Sequence, residues 1–264
     1  LRCGTDMSKT VFAPDVFAGK TVLISGGTSG IGYAAAAMFL ASGARVVLMG
    51  RDQMQGKGAE AQLSATGRVL FCAGDVRSLP DCGRVVAEAI RCCGALDVLV
   101  NAAGIYHEGA LDALSEEELD ALLDTNIKGT IHLSQAALPY LRQTHGNIVN
   151  IASDAGLHGN YFCAAYAATK GAVVALTRSL ARETACDGVR VNAVAPADIL
   201  TPMTERQLAA HLPREDQLRE MASLYPLGRI GTADEAAAAV VFLASPAAAW
   251  VTGSIYMVDG GLTA

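Results

Sequence analysis

Several chemistries drop out before any motif is read. The 264-residue chain has a single tryptophan and only 5% aromatic residues, and no apolar run is long enough to cross a bilayer. Its histidines, at positions 107, 132, 145, 158 and 211, show no H-E-x-x-H spacing, so a metal site has no support. The seven cysteines (Cys3, Cys72, Cys82, Cys92, Cys93, Cys163 and Cys186) are odd in number and never spaced C-x-x-C. That usage fits reduced thiols and a cytoplasmic protein. Positive charge is also in deficit: 20 Lys and Arg face 26 Asp and Glu, leaving −6. General attraction to nucleic acid or to an anionic membrane is therefore not expected. Residues 1–18 lack the basic start and hydrophobic stretch of a secretory leader and read as an N-terminal extension. Met7 reads as the natural start, with residues 1–6 added before it.

What the chain does have is rhythm. From Thr21 onward, short apolar runs alternate with longer helical patterns, the signature of βαβ units and a parallel sheet. Strands are expected at Thr21–Ser25, Arg45–Met49, Arg68–Cys72, Leu96–Asn101, Asn147–Ile151, Arg190–Val194 and Ser254–Val258. Capping boxes at Ser115–Glu118 and Thr232–Glu235 open helices, and a longer helix is expected from Asn126 to Gln143. The length suits one doubly wound α/β domain of about seven strands, covering residues 19–264. Residues 201–225 are polar and broken by Pro202 and Pro213, which suits a flap.

Two stretches carry chemistry. Gly26, Gly30 and Gly32 form a G-x-x-x-G-x-G turn between the first strand and an Ala-rich helix. Glycines there let a phosphate approach, and the helix aims its N–H groups and positive end at the anion. Tyr166 and Lys170 lie four apart in a run of helical pattern, which puts both on one face. A phenol titrates near 10, so holding it as phenolate near neutral pH takes about 4 kcal/mol, of which a nearby cation supplies part.

In this order, the motifs resemble those of the short-chain dehydrogenases/reductases. The glycine turn, Asp75-Val76, Asn101-Ala102-Ala103-Gly104, Asn126, Ser153 thirteen residues before Tyr166, and Tyr166-x-x-x-Lys170 all have counterparts there. Pro196-Ala197-Asp198-Ile199-Leu200-Thr201 resembles the family's Pro-Gly-x-x-x-Thr segment, with Ala197 in place of glycine. The resemblance spans nearly the whole chain from Gly19. It implies a Rossmann-like fold and carbonyl–alcohol interconversion by hydride transfer. Tyr166 would be the acid/base, Ser153 would stabilise the reacting oxygen, Lys170 would bind the nicotinamide ribose and lower the phenol's pKa, and Asn126 would hold a water. By the same resemblance the nucleotide would lie against Gly26, Ser29, Gly30, Ile31, Gly32, Arg51, Asp75, Val76, Asn101, Gly104, Tyr166, Lys170, Pro196, Ile199 and Thr201.

The second strand ends on Gly50, where an acidic residue would accept from the ribose hydroxyls of NAD; Arg51 follows and can meet a 2′-phosphate. NADP(H) is therefore the expected cofactor, with NAD(H) as the alternative. His158, Asn160, Phe162 and Met203 are the substrate candidates. A reductase of acyl thioesters, a sugar or polyol dehydrogenase and a cyclic-alcohol dehydrogenase fit equally, and a non-catalytic nucleotide-binding regulator is the competing class. The family's habit implies a homotetramer or homodimer.

Overall fold

The computed structural model describes residues 11–264. Cys3, Met7 and the extension before Met7 lie outside these residues.

Seven parallel strands form the central sheet: β1 (Thr21–Ser25), β2 (Arg45–Gly50), β3 (Val69–Ala73), β4 (Val98–Asn101), β5 (Asn147–Ile151), β6 (Arg190–Pro196) and, later in the chain, β9 (Ile255–Val258). Their order is β3-β2-β1-β4-β5-β6-β9. A two-stranded pair, β7 (Ile199–Leu200) and β8 (Gly231–Thr232), stands apart. Strand residues are apolar on both faces because helices cover both faces. Val22, Ile24, Val46, Leu48, Val98 and Val100 feed one core layer. Their neighbours Leu23, Val47, Met49 and Leu99 feed the other.

Helices α1 (Gly30–Ala41) and α2 (Gln53–Leu63) cover the first face, joined there by α10 (Ala233–Ala244). The opposite face carries α3 (Leu79–Cys93), α5 (Gly129–Thr144) and α7 (Ala164–Thr184). Both expected capping boxes form, at Ser115 before α4 (Glu116–Leu122) and at Thr232 before α10. The expected helix from Asn126 is different: Leu123–Lys128 is a π-helical turn, and regular helix begins at Gly129. Pro202 and Pro213 sit at helix starts, where a missing N–H costs nothing. Pro202 opens α8 (Pro202–Glu205) and Pro213 precedes α9 (Arg214–Ser223). The remaining helix, α6 (Ala155–His158), is a single turn after β5. Ahead of β1, Phe17 is buried against Phe39, their ring centroids 4.9 Å apart, so the segment before Gly19 also contributes to the core.

The strand order reverses between β1 and β4, which opens a crevice at their carboxyl ends. The two loops there touch: a Cβ on Gly26, whose φ is +66°, would lie 2.8 Å from the Ala102 carbonyl oxygen. Below them a buried polar chain crosses from sheet to helices. Asn101 Nδ2 donates to Asn150 Oδ1 at 2.9 Å and to Ser134 Oγ at 3.0 Å, and Asn150 Nδ2 donates to Thr177 Oγ1 at 2.9 Å. This fixes β4 and β5 against α5 and α7. Asn150→Ala would strand its partners in a dry core, and the expected loss is about 2–4 kcal/mol, read as a lower urea midpoint at unchanged slope. An unchanged midpoint would show that the network does not hold these elements together.

Candidate active site

The crevice opens into a cleft of about 350 Å³ running from the glycine turn to the start of α7. Gly26, Ser29, Gly30, Ile31 and Gly32 line one end, with Arg51, Asp75 and Val76 beside them. Gly104, Ser153, Asn160, Tyr166 and Lys170 line the other, and Pro196, Ile199, Thr201 and Met203 form a side wall.

At the first end the residues fit a dinucleotide phosphate. Ser29 precedes α1 in extended conformation and its side chain caps nothing, so the first-turn N–H groups remain available to an anion. Gly30 has φ +53°, and a Cβ there would project to 3.5 Å from Thr201 on the far wall, into the space a ligand needs. A Cβ on Gly32 would instead lie 2.4 Å from the Gly26 carbonyl oxygen, so that glycine serves the turn itself. Farther along, Arg77 pairs with Asp75 at 2.7 Å. Burial opposes ionisation of Asp75, but the bonds from Arg77 and the charge of Arg51 hold its carboxyl below its ordinary value. Among the described residues no carboxylate forms an ion pair with Arg51.

The other end is where titratable groups converge. Lys170 is buried, donates to the Ile151 carbonyl oxygen at 2.8 Å, and lies 5.8 Å from the centre of the Tyr166 ring. Burial pulls its ammonium down to about 8. The Tyr166 phenol is pushed above its ordinary value, chiefly by burial, with its bond to the Ser153 side chain opposing and nearby Asp154 adding. Desolvation is thus the dominant influence on the phenol. Ser153 Oγ donates to Asp154 Oδ1 at 2.8 Å and accepts from the Ala155 N–H at 3.2 Å. Close packing holds this end together, since a Cβ on Gly156 would lie 2.6 Å from the Lys170 carbonyl carbon.

Four of the residues singled out in the sequence stand off the cleft. Asn101 is committed to the buried network below it. Asn126 accepts from the Ile105 N–H at 2.9 Å and donates to the Ile105 carbonyl and to Thr169 Oγ1, both at 3.0 Å. His158 ends α6, and Phe162 is 64% exposed with φ +52°, its carbonyl accepting from the Gly109 N–H at 2.6 Å. Conversely, the cleft holds residues the sequence did not single out. Tyr106 packs edge-on against Tyr166, centroids 4.8 Å apart. Asp154, Thr125, Arg206 and Gln207 also line it. Asp154 directly follows Ser153 and was legible as a neighbour; Tyr106 carries no local signal.

Comparison with known proteins agrees with this geometry. A family model described as enoyl-(acyl carrier protein) reductase matches residues 26–263. L-fucose dehydrogenase of Bos taurus is 42% identical over 248 residues, 93% of this chain and 90% of that protein. A 3-oxoacyl-(acyl-carrier-protein) reductase of Thermotoga maritima is 39% identical over 248 residues, 92% of this chain and 98% of its own length. A solved short-chain dehydrogenase/reductase from Brucella melitensis, titled a glucose/ribitol dehydrogenase, superposes with a TM-score of 0.89 at 36% identity, covering 96% of this chain and all of its own. With the fold, the cleft and the relatives in agreement, the chain belongs to the short-chain dehydrogenase/reductase family, NAD(P)-dependent oxidoreductases acting on CH–OH groups.

Proposed function

We propose that the chain is an NADP(H)-dependent oxidoreductase interconverting a carbonyl and a secondary alcohol, with Tyr166 as acid and base. The observation carrying this reading is the convergence of Tyr166, Ser153 and Lys170 at one end of a cleft whose other end is an uncapped helix N-terminus. When bound, the nucleotide supplies or accepts the hydride. The protein's share is proton transfer and positioning. A phenol kept protonated by burial is poised to donate to a carbonyl oxygen. Ser153, bonded to the phenol, would hydrogen-bond the same oxygen. Lys170, charged below about 8, reduces the cost of the phenolate that donation leaves behind and would meet the nicotinamide ribose. Asn126 acts through what it holds, joining the Ile105 backbone to α7 at Thr169.

Residues 19–264 act in this reading as one catalytic unit, with 201–225 as a flap over the substrate. The preference for NADP(H) is supported by Arg51 beside the adenosine end and by Gly50, where a Cβ would crowd Thr28 Cγ2 at 3.1 Å. An acidic side chain at position 50 is thereby disfavoured. An NAD-dependent sugar, polyol or cyclic-alcohol dehydrogenase is the second reading, favoured by the polar Asn160, Arg206 and Gln207 in the cleft and by the name of the bovine relative. We further propose a cytoplasmic homotetramer or homodimer, on the reduced-thiol composition and the exposed Trp250 and Tyr256 near the β9 edge. Among the described residues no helix is long and apolar enough to cross a membrane.

Tyr166→Phe is expected to cut turnover about 10²–10⁴-fold while leaving nucleotide affinity within about twofold. The assay is nucleotide oxidation against diketones, quinones, 3-ketoesters and sugars; undiminished turnover would remove Tyr166 from the chemistry, and a wild type silent on all of them would favour the regulator. Arg51→Ala is expected to weaken NADPH about tenfold or more and leave NADH unchanged in fluorescence titration. Equal losses for the two would reverse the cofactor preference. For Lys170 the folded pKa lies below the unfolded one, so its cost to stability is fully present below about 8 and fades as pH rises toward the ordinary lysine value. Lys170→Met should therefore raise the melting temperature by a few degrees at neutral pH, with the gain shrinking in alkali. A lower melting temperature at neutral pH would contradict this.

A further inference from the structure

The chain from Thr201 to Arg229 carries four arginines, and three of them are committed to carboxylates. Arg214 pairs with Glu205, Arg219 with Asp216 at 3.0 Å, and Arg229 with Glu235 at 2.8 Å. Arg206 is the fourth. Its neighbour Glu205 is taken by Arg214, and among the described residues no carboxylate forms an ion pair with Arg206. It is also the one of the four that lines the cleft.

A guanidinium in a cleft wall with no carboxylate of its own is a receptor for an anion, because its planar fork matches carboxylate and phosphate oxygens two at a time. Two carboxylates line the same cleft, and hydroxyls already engage both. Asp154 Oδ1 accepts from Ser153 at 2.8 Å, and Asp198 Oδ2 accepts from Tyr225 at 2.7 Å. Their charge disfavours a further anion beside them, so an anionic group is better received at Arg206 than at the reacting centre. Two molecules carry such a group into the cleft, the nucleotide with its pyrophosphate and the substrate. The pyrophosphate has donors of its own at the start of α1, where the Ser29 side chain caps nothing. Arg206 follows α8, one helical turn past Thr201, the residue that a Cβ on Gly30 would meet at 3.5 Å.

We propose that Arg206 determines specificity by receiving a carboxylate or phosphate that the substrate bears at a distance from its reacting carbon. The inference deepens the reading of Tyr166 as acid and base, and rests on it. It selects oxo acids and sugar phosphates, with the corresponding alcohols, over their neutral counterparts. Gln207, next in the chain and also lining the cleft, offers an amide N–H group to the same anion. Arg206 is exposed, so water and salt screen its charge and its effect is modest.

The test measures binding of 4-oxopentanoate and 6-oxoheptanoate, each beside its methyl ester, by ligand-observed NMR. The full chain is saturated with NADP⁺, or with NAD⁺ where that binds tighter; an oxidised nucleotide has no hydride to give a ketone. The wild type is expected to favour at least one acid over its ester about fivefold to tenfold at low salt, and to lose most of that preference in concentrated KCl. Arg206→Gln should bring the acid-to-ester ratio to about one, and Arg206→Lys should keep part of the preference. Arg219→Gln, which removes a charge paired outside the cleft, should leave the ratio unchanged. Acid and ester bound equally by the wild type at both chain lengths, no binding of either acid, or a ratio untouched by Arg206→Gln would overturn the proposal. An acid preference that survives Arg206→Gln while nucleotide affinity falls about tenfold would overturn it too, and would assign the guanidinium to the pyrophosphate. Tyr166→Phe turnover reports on the underlying reading, and binding without hydride transfer reports on Arg206, so the two can fail independently.

Discussion

The bond from the Lys170 ammonium to the Ile151 carbonyl is the interaction on which the catalytic end of this protein depends. It ties α7 to the end of β5 across a contact so close that Gly156 admits no side chain. Tyr166, one turn earlier on α7, and Ser153, two residues beyond Ile151, are placed by that contact. The arrangement is costly, because a buried ammonium held, among the described residues, by one carbonyl and no carboxylate is poorly compensated for lost water. Burial accordingly pulls Lys170 down to about 8. The surrounding structure supports the cost through the Asn101–Asn150–Thr177 chain, which fixes the same strands and helices just beneath.

The nucleotide end depends on a different constraint, the meeting of two backbones at the reversal of strand order. Gly26 allows the turn after β1 to lie against the loop after β4 without a clash at Ala102. That contact turns the first-turn N–H groups of α1 into the cleft instead of into solvent. The two ends are therefore built by independent means, close helix packing at one and close loop packing at the other. The sheet sets the span between them.

Local signals in the sequence are legible. The strands, the glycine turn and the capping boxes at Ser115 and Thr232 each follow from a few adjacent residues, and all of them form. Features made by distant segments were not legible. The β7–β8 pair joins two-residue strands some thirty residues apart. The π-helical turn at Leu123–Lys128 buries the Asn126 side chain among partners from two other segments, a use its helical pattern did not announce. Tyr106 reaches Tyr166 only because the loop after β4 folds back over α7. How deeply the fold buries Tyr166, which raises its phenol, was likewise not legible. Spacing of four residues brings Tyr166 and Lys170 near, but the depth at which the fold buries them decides the balance. Asp154 shows the converse: it adjoins Ser153, yet no local signal gives away that its carboxylate is buried and bonded to that serine.

The central claim is that both ends of the cleft serve one nucleotide and one reacting oxygen. A crystal structure of the wild-type chain with NADP⁺ tests it most directly. The account predicts the pyrophosphate on the N–H groups of Gly30 to Gly32, the 2′-phosphate within reach of Arg51, and the nicotinamide ring beside Tyr166, Ser153 and Lys170. A nucleotide bound outside this cleft, or a nicotinamide ring turned away from Tyr166, would contradict it.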